Sequence, residues 1–155
     1  DTCKNAMNIQ DFVSSIKLNM DDLKNFATLG YIENITSIIL KSMNSLEHYA
    51  RPVHCSDIKR EVLYIKDNDK WEKEGSEKQL LTKAIKQISN ENINQIRIWR
   101  DSNPECLDPS SNKNNLYLKI MTNSFSGVCS EESGKNINKI ISNVAKEVVI
   151  DKSNI

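Results

Sequence analysis

The sequence has few glycines and no net charge, and each of these features argues against a class of protein. Its four glycines stand apart at positions 30, 75, 127 and 134, so it contains no glycine-rich phosphate-binding loop. Acidic and basic residues number 21 each, which argues against a surface that binds polyanions all over. No apolar run approaches the roughly 18 residues of a membrane span, so we expect no membrane contact of that kind. A local basic patch remains compatible with this composition.

The cysteines and the first residues bear on the compartment. The four cysteines, at positions 3, 55, 106 and 129, could form two disulfides in a secreted protein. Their spacings are long and irregular, and the chain has enough apolar residues to fold without cross-links, which favours reduced thiols. The first four residues lack the basic start and apolar middle of a signal peptide. We therefore expect a reducing environment.

Apolar residues recur mainly with helical spacing. A length of 155 residues suits one domain, which we place over residues 1–155. The spacing predicts about six helices. The first helix begins at Asn8, the second begins at Asn19 with Asp22 as its capping partner and ends at Gly30, and the third runs from Ile32 to about Tyr49. The fourth begins at Ser76, has a break at 89–92 and ends before Pro104. After a loop over 103–115, the last two helices begin near Leu116 and near Ile137.

The period changes to two in the middle of the chain. Alternating β-branched and aromatic residues predict a strand over 62–66, followed by turn residues 67–69 and a returning strand over Lys70–Lys73. This is a β-hairpin near 61–74 with a loop of about three residues. Such a hairpin must pack on the helices to be stable. The predicted fold class is therefore mainly α (α+β), with one hairpin inserted among about six helices.

The connector 51–61 carries the densest cluster of reactive side chains. His54 beside Cys55 raises the hypothesis of a cysteine hydrolase, because an imidazole can activate a thiol. Adjacent residues of an extended segment point apart, which argues against that pair. A zinc site using His48, His54, Cys55 and one distant cysteine lacks the short ligand spacing of structural zinc sites. We therefore predict no catalytic residue, no metal and no cofactor, with Cys55 as a small buried apolar residue.

The same connector is basic, which favours a binding role. Arg51, Lys59 and Arg60 could contact phosphates while Trp71 of the hairpin stacks on bases. The alternative is that the hairpin's charges pair across its strands on a solvated face. The candidate residues for a nucleic acid or a protein partner are Arg51, His54, Lys59, Arg60 and Trp71.

Two stretches resemble a known family. The block 51–67 with Lys70–Lys73, and the later segment 83–87, resemble a C-terminal domain of proteins from giant nucleocytoplasmic DNA viruses, the mimivirus-like group. The similarity extends from the Ile9 helix to Asp151 and is most specific over 51–73. In that family the domain often follows a C2H2 zinc finger and a coiled-coil linker, which implies a modular protein associated with nucleic acid. This chain contains no such finger, and the resemblance implies no catalytic residues.

These observations predict a non-catalytic interaction or assembly module of a viral protein, in the infected-cell cytoplasm (viral factory) or the virion. The partner would be another protein or a second copy, since an apolar seam such as Ile32–Leu46 could pair with its own copy. The alternative is a nucleic-acid-binding module that uses the basic connector 51–60 and the following hairpin.

Overall fold

The computed structural model describes residues 3–129 and 132–150. Six α-helices and a three-stranded antiparallel sheet within these residues confirm the predicted mainly α, α+β class. The elements in chain order are α1 (Ile9–Ser15), α2 (Met20–Asn25), α3 (Tyr31–Asn44), a 3-10 helix (His48–Ala50), β1 (Val53–Asp57), β2 (Val62–Asp67), β3 (Lys70–Lys73), α4 (Gln79–Ser102), a 3-10 helix (Pro104–Leu107), α5 (Asn112–Cys129) and α6 (Ser133–Glu147).

The sheet contains the predicted hairpin and one strand more. β2 and β3 form the hairpin, but its loop has two residues, Asn68 and Asp69, both with positive φ (49° and 64°) as in a type I′ turn. The prediction that residues 51–61 form only a connector is wrong, because the first half of this segment is strand β1, which pairs antiparallel with β2. The strand order is β1-β2-β3. β1 contains His, Ser and Asp among its five residues, so it lacks the β-branched and aromatic composition that identified β2.

The two faces of the sheet have different chemistry. Side chains alternate between faces along a strand, and the register places Val53 opposite Ile65 and Cys55 opposite Leu63. These four side chains are fully buried and join the helical core. The register and the alternation assign the other face to His54, Tyr64, Lys66 and Trp71. The sheet thus has an apolar face toward the helices and a polar and aromatic face away from them.

The starts of the first three helices match the predictions in part. The Asn19–Asp22 capping box is present, with each side chain accepting a hydrogen bond from the other's backbone N–H. Asn8 precedes α1 as predicted but its side chain does not cap that helix. It instead exchanges hydrogen bonds of 2.9 and 2.8 Å with Asp69 in the hairpin turn. Gly30 does not end α2 in a left-handed conformation; its φ is −69° and it directly precedes α3.

The long helices also depart from the predicted bounds. α3 ends at Asn44, and Tyr49 beyond it is exposed. The predicted break at 89–92 is wrong, because α4 runs continuously through these residues. Buried partners engage two of the residues that suggested the break: Ser89 Oγ lies 2.6 Å from Tyr31 Oη, and Asn92 Nδ2 lies 3.4 Å from Ser124 Oγ. Tertiary contacts therefore override the local signal.

The C-terminal part of the described chain closes the sheet. The predicted loop 103–115 contains a 3-10 helix, and α5 begins at Asn112 rather than near Leu116. After α6, Cys55 N donates to Val148 O and Ile150 N donates to Cys55 O, each at 2.9 Å. The segment after α6 thereby covers the outer edge of β1, which protects an edge strand. Among the described residues, no helix combines the length and the hydrophobicity needed to cross a membrane.

Candidate interaction surface

Arg51 acts inside the domain as a link between two helix ends. Its Nε donates to Met43 O in the last turn of α3 at 3.0 Å, and one terminal nitrogen lies 3.4 Å from Glu147 O at the end of α6. The carbonyls of a helix's last turn have no hydrogen-bond partner within the helix, and a cation placed there also interacts favourably with the helix dipole. The guanidinium group is therefore engaged by backbone oxygens.

His54 is fully buried on the outer face of the sheet. Its ring centroid lies 5.2 Å from that of His48 and 5.5 Å from that of Trp71, and neither ring nitrogen has a hydrogen-bond partner of normal geometry among the described residues. Burial, followed by the repulsion of His48, lowers the pKa of His54 to about 4; the Val148 carbonyl opposes this shift and Arg51 adds to it. His54 is thus a neutral packing residue at pH 7.

Trp71 and Lys66 hold the residues before α1 against the sheet. The Trp71 indole N–H donates to Cys3 O at 3.1 Å. The buried Lys66 ammonium donates to Lys4 O at 2.9 Å and to Ala6 O at 2.7 Å. We call residues 3–7 the N-terminal strap, because these bonds tie them to the polar face of the sheet. Trp71 is half-buried under this strap, so its indole is poorly placed to stack on a base.

Lys59 and Arg60 lie in the turn between β1 and β2 and are exposed. Both backbone N–H groups donate to Asp57 Oδ1, at 3.1 and 3.2 Å, which fixes the turn. Lys66 and Trp71 are paired near the opposite end of β2. At the usual rise per strand residue, that end lies about 13 Å from the end of β2 beside the turn. The five candidate residues therefore divide into an inner group (Arg51, His54, Trp71) and an exposed pair.

The Cys55 thiol does not meet either histidine. His54 and Cys55 point to opposite faces of β1, and no hydrogen bond joins the thiol to an imidazole in the described part of the chain. Burial raises the pKa of the Cys55 thiol, which disfavours the reactive thiolate. Nor do the described residues bring three or more metal-ligating side chains together.

A groove between α2, α4 and α5 lies outside the predicted site. It encloses about 690 Å³. Its lining includes the buried Trp99, which stacks on Tyr117 with ring centroids 6.3 Å apart. Two large apolar side chains at its edge are exposed, Met20 by 38% and Ile98 by 51%. The apolar lining consists of Leu18, Met20, Leu23, Ile98, Trp99 and Leu116.

The charges that line the groove are both positive. Lys24 stands on the α2 side and Lys113 on the α5 side, and no carboxylate lines it. Lys113 Nζ lies 2.8 Å from Asn103 Oδ1 and 2.5 Å from Glu105 Oε1, so this ammonium is fixed beside the groove. The bond from Lys113 lowers the pKa of Glu105. The groove therefore offers an apolar base, with Lys24 and the Glu105-paired Lys113 at its rim.

Sequence reasoning missed this groove because its lining comes from segments nearly 100 residues apart. The available signal was Ile98 beside Trp99, two large apolar residues that fall on different sides of one helix. No protein-family model, curated protein or solved structure matches this chain. The interpretation of the site therefore depends on its geometry and chemistry.

Proposed function

We propose that this chain is a non-catalytic protein-interaction module whose groove receives an apolar partner segment flanked by carboxylates. The observation that carries the proposal is the exposure of Met20 and Ile98 beside the buried Trp99. Exposed apolar side chains grouped around a concave surface are typical of interaction sites, whereas single exposed apolar residues are ordinary. An amphipathic helix laid into an apolar groove is a common form of such recognition.

The charge of the rim supports the choice of partner. Lys24 stands beside the apolar lining and makes no ion pair within the described residues, whereas Lys113 is paired with Glu105. Opposite charges at the rim speed association and fix register, while the apolar anchors supply most of the affinity. A segment with apolar residues at helical spacing and Glu or Asp at its flanks meets both requirements.

Pairing with a second copy through the α3 seam has little support. Ile35 and Ile39 of that seam are buried inside the domain, so they could pair with another copy only if the core opened. A different protein is therefore the better partner. The viral source, and a location in the infected-cell cytoplasm or the virion, remain proposals supported by the resemblance of residues 51–73.

Nucleic-acid binding through residues 51–60 and the hairpin is also less well supported than the groove. Arg51 and Trp71 donate their hydrogen bonds to backbone carbonyls, and His54 is buried. Lys59 and Arg60 alone of the five candidates are exposed to solvent.

The test uses peptides titrated into the isotopically labelled 155-residue chain. One 16-residue helical peptide carries Leu at i, i+3 and i+7 with Glu flanks, and its partner peptide carries Lys flanks. We expect the Glu-flanked peptide to shift the Trp99 indole and Ile98 methyl resonances, and the Lys-flanked peptide to bind about threefold more weakly. Ile98→Asp should abolish the shifts.

Leu118→Asp is the matched control, because Leu118 is 52% exposed on α5 and does not line the groove. It should bind the Glu-flanked peptide as the parent does. Equal loss in both variants, or no shift at the groove with either peptide, would refute the proposal. A concentration-dependent dimer in sedimentation that Ile98→Asp abolishes would instead assign the groove to a second copy.

A further inference from the structure

The solvent face of α6 carries a row of lysines. Lys135, Lys139 and Lys146 are exposed and follow one another at intervals of four and seven residues, with Ser142 between the last two. These intervals place all four residues on one side of an α-helix. The row extends over 11 residues, or about 16 Å at the usual helical rise. It lies opposite the buried apolar face of α6.

Glu61 fixes the β1–β2 turn against this row. Ser142 Oγ donates to Glu61 Oε1 at 2.5 Å, and Lys78 Nζ lies 3.1 Å from Glu61 Oε2. Glu61 directly follows Lys59 and Arg60 in the turn. The turn that carries Lys59 and Arg60 is therefore held against the side of α6 that bears the lysines. We call Lys59, Arg60, Lys135, Lys139 and Lys146 the basic face.

Few carboxylates offset the basic face. Asp57 accepts two backbone hydrogen bonds of the turn and lies 3.9 Å from Arg60 Nε. Glu61 is already engaged by Ser142 and Lys78. Glu147 follows Lys146 but lies about 100° further around the helix. No carboxylate among the described residues lies within 4.0 Å of the ammonium groups of the four lysines in the basic face.

We propose that the basic face binds the phosphate backbone of double-stranded nucleic acid without reading its sequence. Lysine and arginine neutralise phosphates and release counterions, which supplies most of the free energy of such binding. The basic face contains no aromatic side chain, so bases of a single strand gain no stacking. Binding to an anionic membrane is disfavoured, because the apolar residues of α6 are buried and Ile58, 43% exposed beside Lys59, is a single apolar side chain rather than an apolar face.

The experiment measures binding of the 155-residue chain to a labelled 20-base-pair DNA duplex by fluorescence anisotropy at several salt concentrations. Five phosphate contacts predict a slope of log K against log salt of about −4.5. Replacing Arg60, Lys139 and Lys146 together by Gln should reduce the slope to about −1.8. The single strand of the same length should bind more weakly than the duplex.

A second triple variant is matched in composition. Lys83→Gln, Lys86→Gln and Arg97→Gln also remove two lysines and one arginine, all exposed on α4. This control should keep the parent slope, and circular dichroism melts should show both variants folded. The proposal is wrong if the duplex does not bind at about 20 mM salt, if both triples weaken binding equally, or if vesicles containing phosphatidylserine bind while the duplex does not. It does not depend on the groove, so either proposal can fail alone.

Discussion

Lys78 Nζ lies 3.1 Å from Glu61 Oε2, and both residues have left-handed backbone, with φ of 51° and 50°. Non-glycine residues seldom adopt this conformation, and it persists where surrounding contacts stabilise it. Here the contacts are the ion pair itself and the hydrogen bond from Ser142 to Glu61. One carboxylate thus joins the β1–β2 turn, the start of α4 and the middle of α6.

Glu61→Gln should lower the free energy of unfolding by about 1 to 2 kcal/mol, because hydrogen bonds to a charged group are worth more than neutral ones. The bond from Ser142, followed by that from Lys78, holds the pKa of Glu61 below its ordinary value of 4.5. Its stabilisation is present above that ordinary value and is lost as the pH falls through the lowered one. Urea denaturation of parent and variant at pH 7 and pH 3 measures both effects.

The control for this prediction is Glu72→Gln on β3. Glu72 is exposed and makes no ion pair within the described residues. Its variant should unfold within about 0.5 kcal/mol of the parent, as surface substitutions usually do. If the two variants lose equal stability at pH 7, the contacts of Glu61 do not stabilise the turn.

His54 should make the domain less stable in mild acid. Its pKa is about 4 in the folded protein against 6.5 ordinarily, so the unfolded chain takes up a proton first as the pH falls. Above about pH 7, His54 is neutral in both states and does not change the free energy of unfolding. Its cost grows between pH 6.5 and 4 and approaches about 3 kcal/mol below that range.

His54→Leu tests this dependence, because leucine fills an apolar site and cannot be protonated. The free energy of unfolding of this variant should fall less steeply than that of the parent between pH 6.5 and 4.5. His48→Gln keeps the buried imidazole and should retain most of the parent's slope. Parallel pH profiles for parent and His54→Leu would show that the pKa of His54 is the same in the folded and the unfolded state, which would contradict the prediction.

How far the fold follows from sequence depends on whether its signals are local. The Asn19–Asp22 capping box and the alternation over 62–66 each involve a few neighbouring residues, and both were predicted. The continuity of α4 requires distant partners, whereas β1 was missed because its polar residues do not resemble a strand. Ser89 and Asn92 look like helix breakers until Tyr31 and Ser124 supply their hydrogen bonds. Those contacts form only when α3, α4 and α5 pack together.

The candidate site shows the same difference. The sequence indicated a basic connector but not which of its cations reach solvent. Arg51 is drawn to the carbonyls at two helix ends, one of which belongs to Glu147, almost a hundred residues away. Lys59 and Arg60 stay exposed because Asp57 binds their backbone and leaves their side chains outside. Long-range contacts bring α6 to this turn, among them the bond between Ser142 and Glu61.

Lys66→Met should release the N-terminal strap from the sheet. Methionine keeps most of the side-chain volume but leaves the carbonyls of Lys4 and Ala6 without the donor they have in the parent. We expect the free energy of unfolding to fall by about 2 to 3 kcal/mol, because a lost partner exposes the full cost of burying a polar group. Amide exchange of Ala6 and Met7, whose N–H groups bind Cys3 O and Ala50 O, should accelerate at least tenfold.

Lys70→Met, an exposed change on β3, should leave these rates within twofold of the parent. If exchange at Ala6 and Met7 is as slow in Lys66→Met as in Lys70→Met, the buried ammonium does not hold the strap.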